Sequence, residues 1–146
     1  MIANPEKQAV IEQGLEHAAE TLGDIVPLVM ARVYARTPEA RDVFDHYGLG
    51  ARARLEAEMV DNSLYCVMTW FVRPEEIKGL LYTSVPHHND ALEVPADWYS
   101  DMLRDVINIV VETLPSEAAN EQAIWREVES GLIAAIEATR PYFHRG

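Results

Sequence analysis

A chain of 146 residues, 49% apolar and 25% charged, has the size and balance of one globular domain whose core can enclose a small ligand. Its formal charge of −12 argues against a nucleic-acid surface and against docking on anionic lipid, both of which need clustered Lys and Arg. Cys66 is the single cysteine, so an internal disulfide and a cysteine-rich metal centre are excluded and a reducing compartment is expected.

The N-terminal residues, Met1 to Glu6, show no basic segment followed by an apolar stretch, so no signal peptide is expected. Asn4 and Pro5 open the first predicted helix as cap and first-turn proline. Ile11, Leu15, Ala18 and Leu22 share its inner face, and Gly23 ends it. Asp24 then reads as the cap of a second helix carrying Ile25, Leu28, Val29, Arg32 and Val33, with Pro27 in its first turn. Thr37-Pro38-Glu39 predicts a third cap and a short helix reaching Phe44, followed by a loop marked by Gly48 and Gly50.

A long helix follows, with Leu55, Met59, Asn62 or Ser63, Cys66 and Trp70 along one side. The run from Ser63 to Val72 is the longest nearly apolar one and is too short to span a bilayer. Arg73-Pro74-Glu75-Glu76 starts the next helix, whose apolar set is Ile77, Leu80, Leu81 and Val85, and Pro86 should end or kink it within a residue or two. Val94-Pro95-Ala96-Asp97 opens a further helix with Met102, Val106, Ile109 and Val110 inward, broken at Pro115-Ser116. The last helix is expected from about Glu117 to Thr139, with Ile124, Val128, Leu132, Ala135 and Ile136 inward and Pro141 as its stop. No strand pattern, repeat or linker competes, so one all-α domain over residues 1–146 is predicted, with unequal, crossed helices rather than a symmetric bundle.

Catalytic signatures are missing. There is no Gly-rich phosphate loop, no Gly-x-Ser-x-Gly elbow and no His-Glu-x-x-His zinc motif. The acid pairs Glu56/Glu58 and Glu75/Glu76 read as helix-start charge and solvated faces. His87-His88 is the feature with chemical content, because a histidine on an apolar helix is the usual ligand of haem iron. His88 shares its face with Ile77, Leu81 and Ser84 if the helix continues past Pro86, whereas His87 points nearer to Leu80. Taken by itself, the dipeptide fits an exposed pair after a helix end better than a ligand. His17 reads as solvated, His46 as a loop residue and His144 as part of the tail.

The stretch from Arg32 to Phe44, with Thr37-Pro38-Glu39 inside it, resembles the junction of the second and third helices in bacterial globins, and Phe44 matches the Phe that packs on the haem. His88 precedes Pro95 by the interval that separates the proximal His from Pro in the globin domains of flavohaemoglobins, with Trp98 where a Tyr stands there. Ala123-Ile124-Trp125-Arg126-Glu127 is similar to the opening of the last globin helix.

The resemblance implies a globin-like fold of about six to eight helices around a haem b pocket. It implies His88 as iron ligand, with Phe44, Val94 and Trp98 against the cofactor and Met30, Leu55 and Met59 on the distal side. Met30 stands where bacterial globins offer a Tyr to bound oxygen, so an apolar distal side is expected unless Tyr47, Tyr65 or His46 swings in. The function implied is binding of a diatomic gas (O2, NO or CO) for sensing, storage or scavenging in a cytoplasmic protein, without nucleic acid or membrane. Two other readings stay open. One is a haem-free globin-fold sensor or interaction module. The other is a nitric oxide dioxygenase or peroxidase fed by a separate reductase, since no attached reductase domain is expected. A homodimer is an open partner in each.

Overall fold

The computed structural model describes residues 4–92 and 94–139, and side chains outside 88–92. Among them are seven helices and no strand: α1 (Pro5–Leu22), α2 (Val26–Arg36), α3 (Ala40–Gly48), α4 (Arg52–Thr69), α5 (Pro74–Leu92), α6 (Ala96–Thr113) and α7 (Ala119–Glu137). The all-α class is as the periodicity predicts, and helices of unequal length are consistent with a globin-like arrangement. No described helix is long and apolar enough to cross a membrane.

Local chemistry explains where helix ends fall and where they depart from expectation. Asn4 does not cap α1 through its side chain; it takes a left-handed conformation (φ 54°) and its carbonyl accepts the Gln8 N–H at 3.0 Å. Gly23, at φ 72°, carries the chain out of α1. Asp24 does act at the start of α2, where Oδ1 accepts the Val26 N–H at 3.0 Å. Leu28, expected along the apolar set, is exposed.

Thr37-Pro38-Glu39 is a turn rather than the first turn of α3, with the Ala40 N–H donated to the Thr37 carbonyl at 3.1 Å. α3 then runs past Phe44 to Gly48, so His46 lies on a helix, not in a loop. The reversal falls on Leu49 and Gly50, at φ 51° and 87°. The last helix is shorter than expected at both ends, spanning Ala119 to Glu137. Pro141 and His144 lie outside the described residues.

The largest departure is in α5, which does not end at Pro86 but continues to Leu92. An interior proline removes one backbone donor and costs about 3 kcal/mol. Ile77, Leu81 and Val85 on the inner face are almost fully buried, each contributing roughly 1.5–3 kcal/mol, and together they outweigh that loss.

α6 is the central helix and packs against α1, α2, α4, α5 and α7. Leu103, Ile107 and Val110 join a larger apolar cluster with α5 and α7, while Met102, Val106 and Ile109 join a second one with α2 and α3. Two tryptophans lock α7 in place. The Trp125 ring lies where a Cβ on Gly14 would be, 2.7 Å from its Nε1, and the Trp70 ring lies 2.4 Å from a Cβ built on Gly131. Only glycine admits either approach.

Candidate functional site

A cavity of about 300 Å³ opens between the two clusters. α3 contributes Val43, Phe44 and Tyr47 to its wall. From α4 come Leu55 and Met59, then Asn62, Ser63 and Cys66 on successive turns of the same face. α5 contributes Leu80, Leu81 and Ser84, a register that depends on its inward apolar stripe. Val94 precedes α6, which brings Trp98 and Tyr99 and, one turn later, Met102 and Leu103. Asn62 and Leu80 are exposed as well as lining, so the cavity meets solvent between α4 and α5.

Five of the residues singled out in the sequence converge here: Phe44, Leu55, Met59, Val94 and Trp98. Phe44 is buried, with the Trp98 ring edge-on at 5.9 Å and the Tyr34 ring tilted at 6.2 Å. Met30 is buried in the same apolar cluster but is not part of the lining. His88 falls on α5 one turn after Ser84, and its side chain lies outside the described residues. His87 is exposed.

Of the three groups that might swing in, Tyr47 lines the cavity. Tyr65 instead donates to Glu76 Oε2 at 2.6 Å, and His46 is exposed with its ring edge-on to Tyr47 at 4.7 Å. His17 is half-buried on α1, its Nδ1 3.4 Å from the Thr21 hydroxyl. Among the described residues no group of three His, Cys, Asp or Glu side chains gathers as a metal site.

The polar content of the wall is what sequence reasoning missed. Tyr99 lines the cavity beside Trp98, and its spacing to Met102 and Leu103 on one face of α6 is the sequence signal for it. Its hydroxyl is 3.3 Å from Ser84 Oγ, joining α6 to α5. Burial is the main influence on Tyr99 and raises its pKa. Burial also pushes the Cys66 thiol up to about 11, so it is neutral under ordinary conditions. None of the described lining residues carries a charge.

Charged groups lie behind the wall instead. The Tyr34 hydroxyl donates to Glu56 at 2.5 Å, and Glu56 also pairs with Arg52 at 3.3 Å. Glu56 is thus a half-buried tie between α2 and α4, not the solvated residue expected, whereas Glu58, Glu75 and Glu76 are exposed. Arg36, at the end of α2, donates to Asp105 of α6, which is buried. No family model, no curated protein and no solved structure matches this chain, and the chemistry of the cavity is what supports a function.

Proposed function

We propose that the chain is a globin-type protein that binds haem b through His88 and takes a diatomic gas, O2, NO or CO, for sensing, storage or scavenging. The observation that carries the reading is the meeting of Phe44, Leu55, Met59, Val94 and Trp98 around one apolar cavity flanked by α4 and α5, the helix that also bears His88. Aliphatic and aromatic walls suit the faces of a porphyrin, and imidazole is a common axial ligand of its iron. The residues present therefore fit the group by chemistry. By volume the cavity lies at the small end of the range of about 300–1,000 Å³ for ligand sites, so accommodating a porphyrin requires α4 and α5 to part at the mouth.

Bound haem would supply an iron at which a gas ligand coordinates. This chain's contribution is a largely apolar wall whose described residues carry no charge, with Leu55 and Met59 offering no donor and Tyr47 offering a phenol. That phenol favours a second reading, a nitric oxide dioxygenase or peroxidase fed by a separate reductase, because a donor stabilises negative charge developing on bound oxygen. The test of the main reading is the visible absorption spectrum of the purified protein, of His88→Ala and of His87→Ala. A haem band lost in His88→Ala and kept in His87→Ala is expected. Loss in His87→Ala alone would overturn the assignment.

A further inference from the structure

We propose that a second cavity, at the corner where α1 gives way to α2, is a binding site for a small organic cation: an ammonium group on a compact apolar body. Its volume is about 240 Å³. Leu15 and Ala18 of α1 face Leu64 and Met68 of α4 across it, and Ile25 and Val26 at the corner complete the apolar lining with Val110 of α6. Positions 61, 64 and 68 lie on the face of α4 opposite the one that carries Met59, Ser63 and Cys66, and the two cavities share no lining residue. The space is smaller than the roughly 300–1,000 Å³ usual for drug-sized ligands, so it suits one ring or a short branched chain. Met68 lines the cavity and is also exposed, which leaves a flexible thioether at the opening to fit itself to such a body.

The charge on the lining has one sign. Its two polar side chains are the carboxylates Asp24 and Asp61, both exposed and therefore at the opening. Asp24 Oδ1 accepts the Val26 N–H at 3.0 Å, which fixes the first carboxylate at the rim. Two helix ends meet at the same corner. The C-terminus of α1, with no basic residue in its last turn, carries about half a negative charge and the N-terminus of α2 about half a positive one. These cancel, and the two carboxylates set the sign. The surroundings reinforce it: residues 8–31 and 55–72, which include both walls, contain no Lys or Arg but carry the exposed acids Glu12, Glu16, Glu20 and Glu58. The basic residues that flank these stretches toward the corner, Arg32 and Arg54, are paired with Glu112 at 2.6 Å and Glu58 at 3.3 Å. An anion therefore meets repulsion here, a neutral molecule gains only apolar burial, and a cation gains both burial and attraction.

The experiment titrates 2-phenylethylammonium, 2-phenylethanol and 3-phenylpropionate into the full chain at low salt, followed by backbone amide NMR shifts. The amides of Ala19, Gly23, Val26 and Leu64 should move together, and the ammonium should bind about fivefold more tightly than the alcohol, the value of one surface ion pair. The propionate should bind more weakly than either. Salt at about 0.5 M should narrow the advantage of the ammonium. Asp24→Asn combined with Asp61→Asn removes both charges, and an amide oxygen at position 24 still accepts the Val26 N–H, so the start of α2 is kept. This double variant should bind ammonium and alcohol alike, with the alcohol affinity unchanged, a pattern that general loosening of the fold does not produce. Equal binding of ammonium and alcohol to the native protein, a preference for propionate, an ammonium advantage that survives both substitutions, or shifts confined to the amides around Phe44 would overturn the proposal. The result does not depend on haem: a protein with no haem band that still discriminates the ammonium overturns the gas-binding reading alone, and one that forms the band but treats ammonium and alcohol alike overturns this proposal alone.

Discussion

Phe44 is where sequence and site agree most closely at the scale of single residues. It falls one turn after Ala40 on a short helix, both are buried, and its ring meets Tyr34 on one side and Trp98 on the other. Truncation to Ala leaves a void that α3, tied to α2 by a three-residue turn, has little freedom to close. Phe44→Ala should lower stability by about 3–5 kcal/mol in urea unfolding and weaken haem retention in the spectrum. An unchanged midpoint would place the ring outside the wall. Tyr47 makes the opposite point. Its proximity to Phe44 in sequence said nothing about direction, and only the extension of α3 to Gly48 puts both on the lining. If Tyr47 is the donor to bound oxygen, Tyr47→Phe should speed oxygen release in stopped flow by about tenfold, the value of roughly 1.4 kcal/mol. A rate that does not change removes the support for the dioxygenase reading. Met30 was legible as buried but not as lining, because helical periodicity identifies an inward face without saying which neighbour fills the space beyond it.

Among the elements, α5 decides whether the histidine pair can serve the cavity at all. Leu81 and Ser84 reach the lining from the part of α5 before Pro86, and His88 follows one turn after Ser84 because the helix persists through that proline. The sequence set two signals against each other there, a local breaker and an apolar stripe of Ile77, Leu81 and Val85. Propensity alone favours the breaker, and tertiary burial, invisible in one segment, decides for the helix. Pro86→Ala restores a backbone donor to the interior of α5 and should raise stability by about 1–3 kcal/mol, read as a higher melting temperature. A lower one would mean that the helix depends on the proline ring for packing. The seating of α7 was less legible. Gly131 has no special conformation to announce it, and its role, accepting the Trp70 ring, exists only in the assembled fold. Gly131→Ala should therefore destabilise despite the better helix propensity of alanine, by roughly 1–3 kcal/mol from overpacking. A gain in stability would show that the Trp70 ring can move aside.

Over the whole molecule, composition predicts an acidic surface, and most acidic groups are indeed exposed. Asp105 is the departure: it is buried in α6, bonded to Arg36 across 69 positions of sequence, and its second oxygen has no hydrogen-bond partner. No local pattern announces such a pair, since it depends on how α2 crosses α6. The pair joins the end of the helix that precedes Phe44 to the helix that bears Trp98. Two effects oppose each other at the carboxyl. Burial favours the protonated form and is the larger, while the Arg36 guanidinium favours the ionised form, so the pKa is raised above the ordinary carboxylate value. A raised native pKa means that the folded chain binds this proton more tightly than the unfolded one. As pH falls through the native value, the folded state protonates first and stability from Asp105 increases, levelling off once the unfolded carboxylate has titrated too. Asp105→Asn removes this one titration and leaves the others in place. The stability of the wild-type protein relative to Asp105→Asn should therefore rise as pH is lowered from about 7 to about 4, an interval bracketing the ordinary carboxylate range. Urea unfolding of both proteins across that interval measures the difference directly. A wild-type advantage that shrinks with acid would mean that the Arg36 pair outweighs burial, and that the carboxylate is the form the fold prefers.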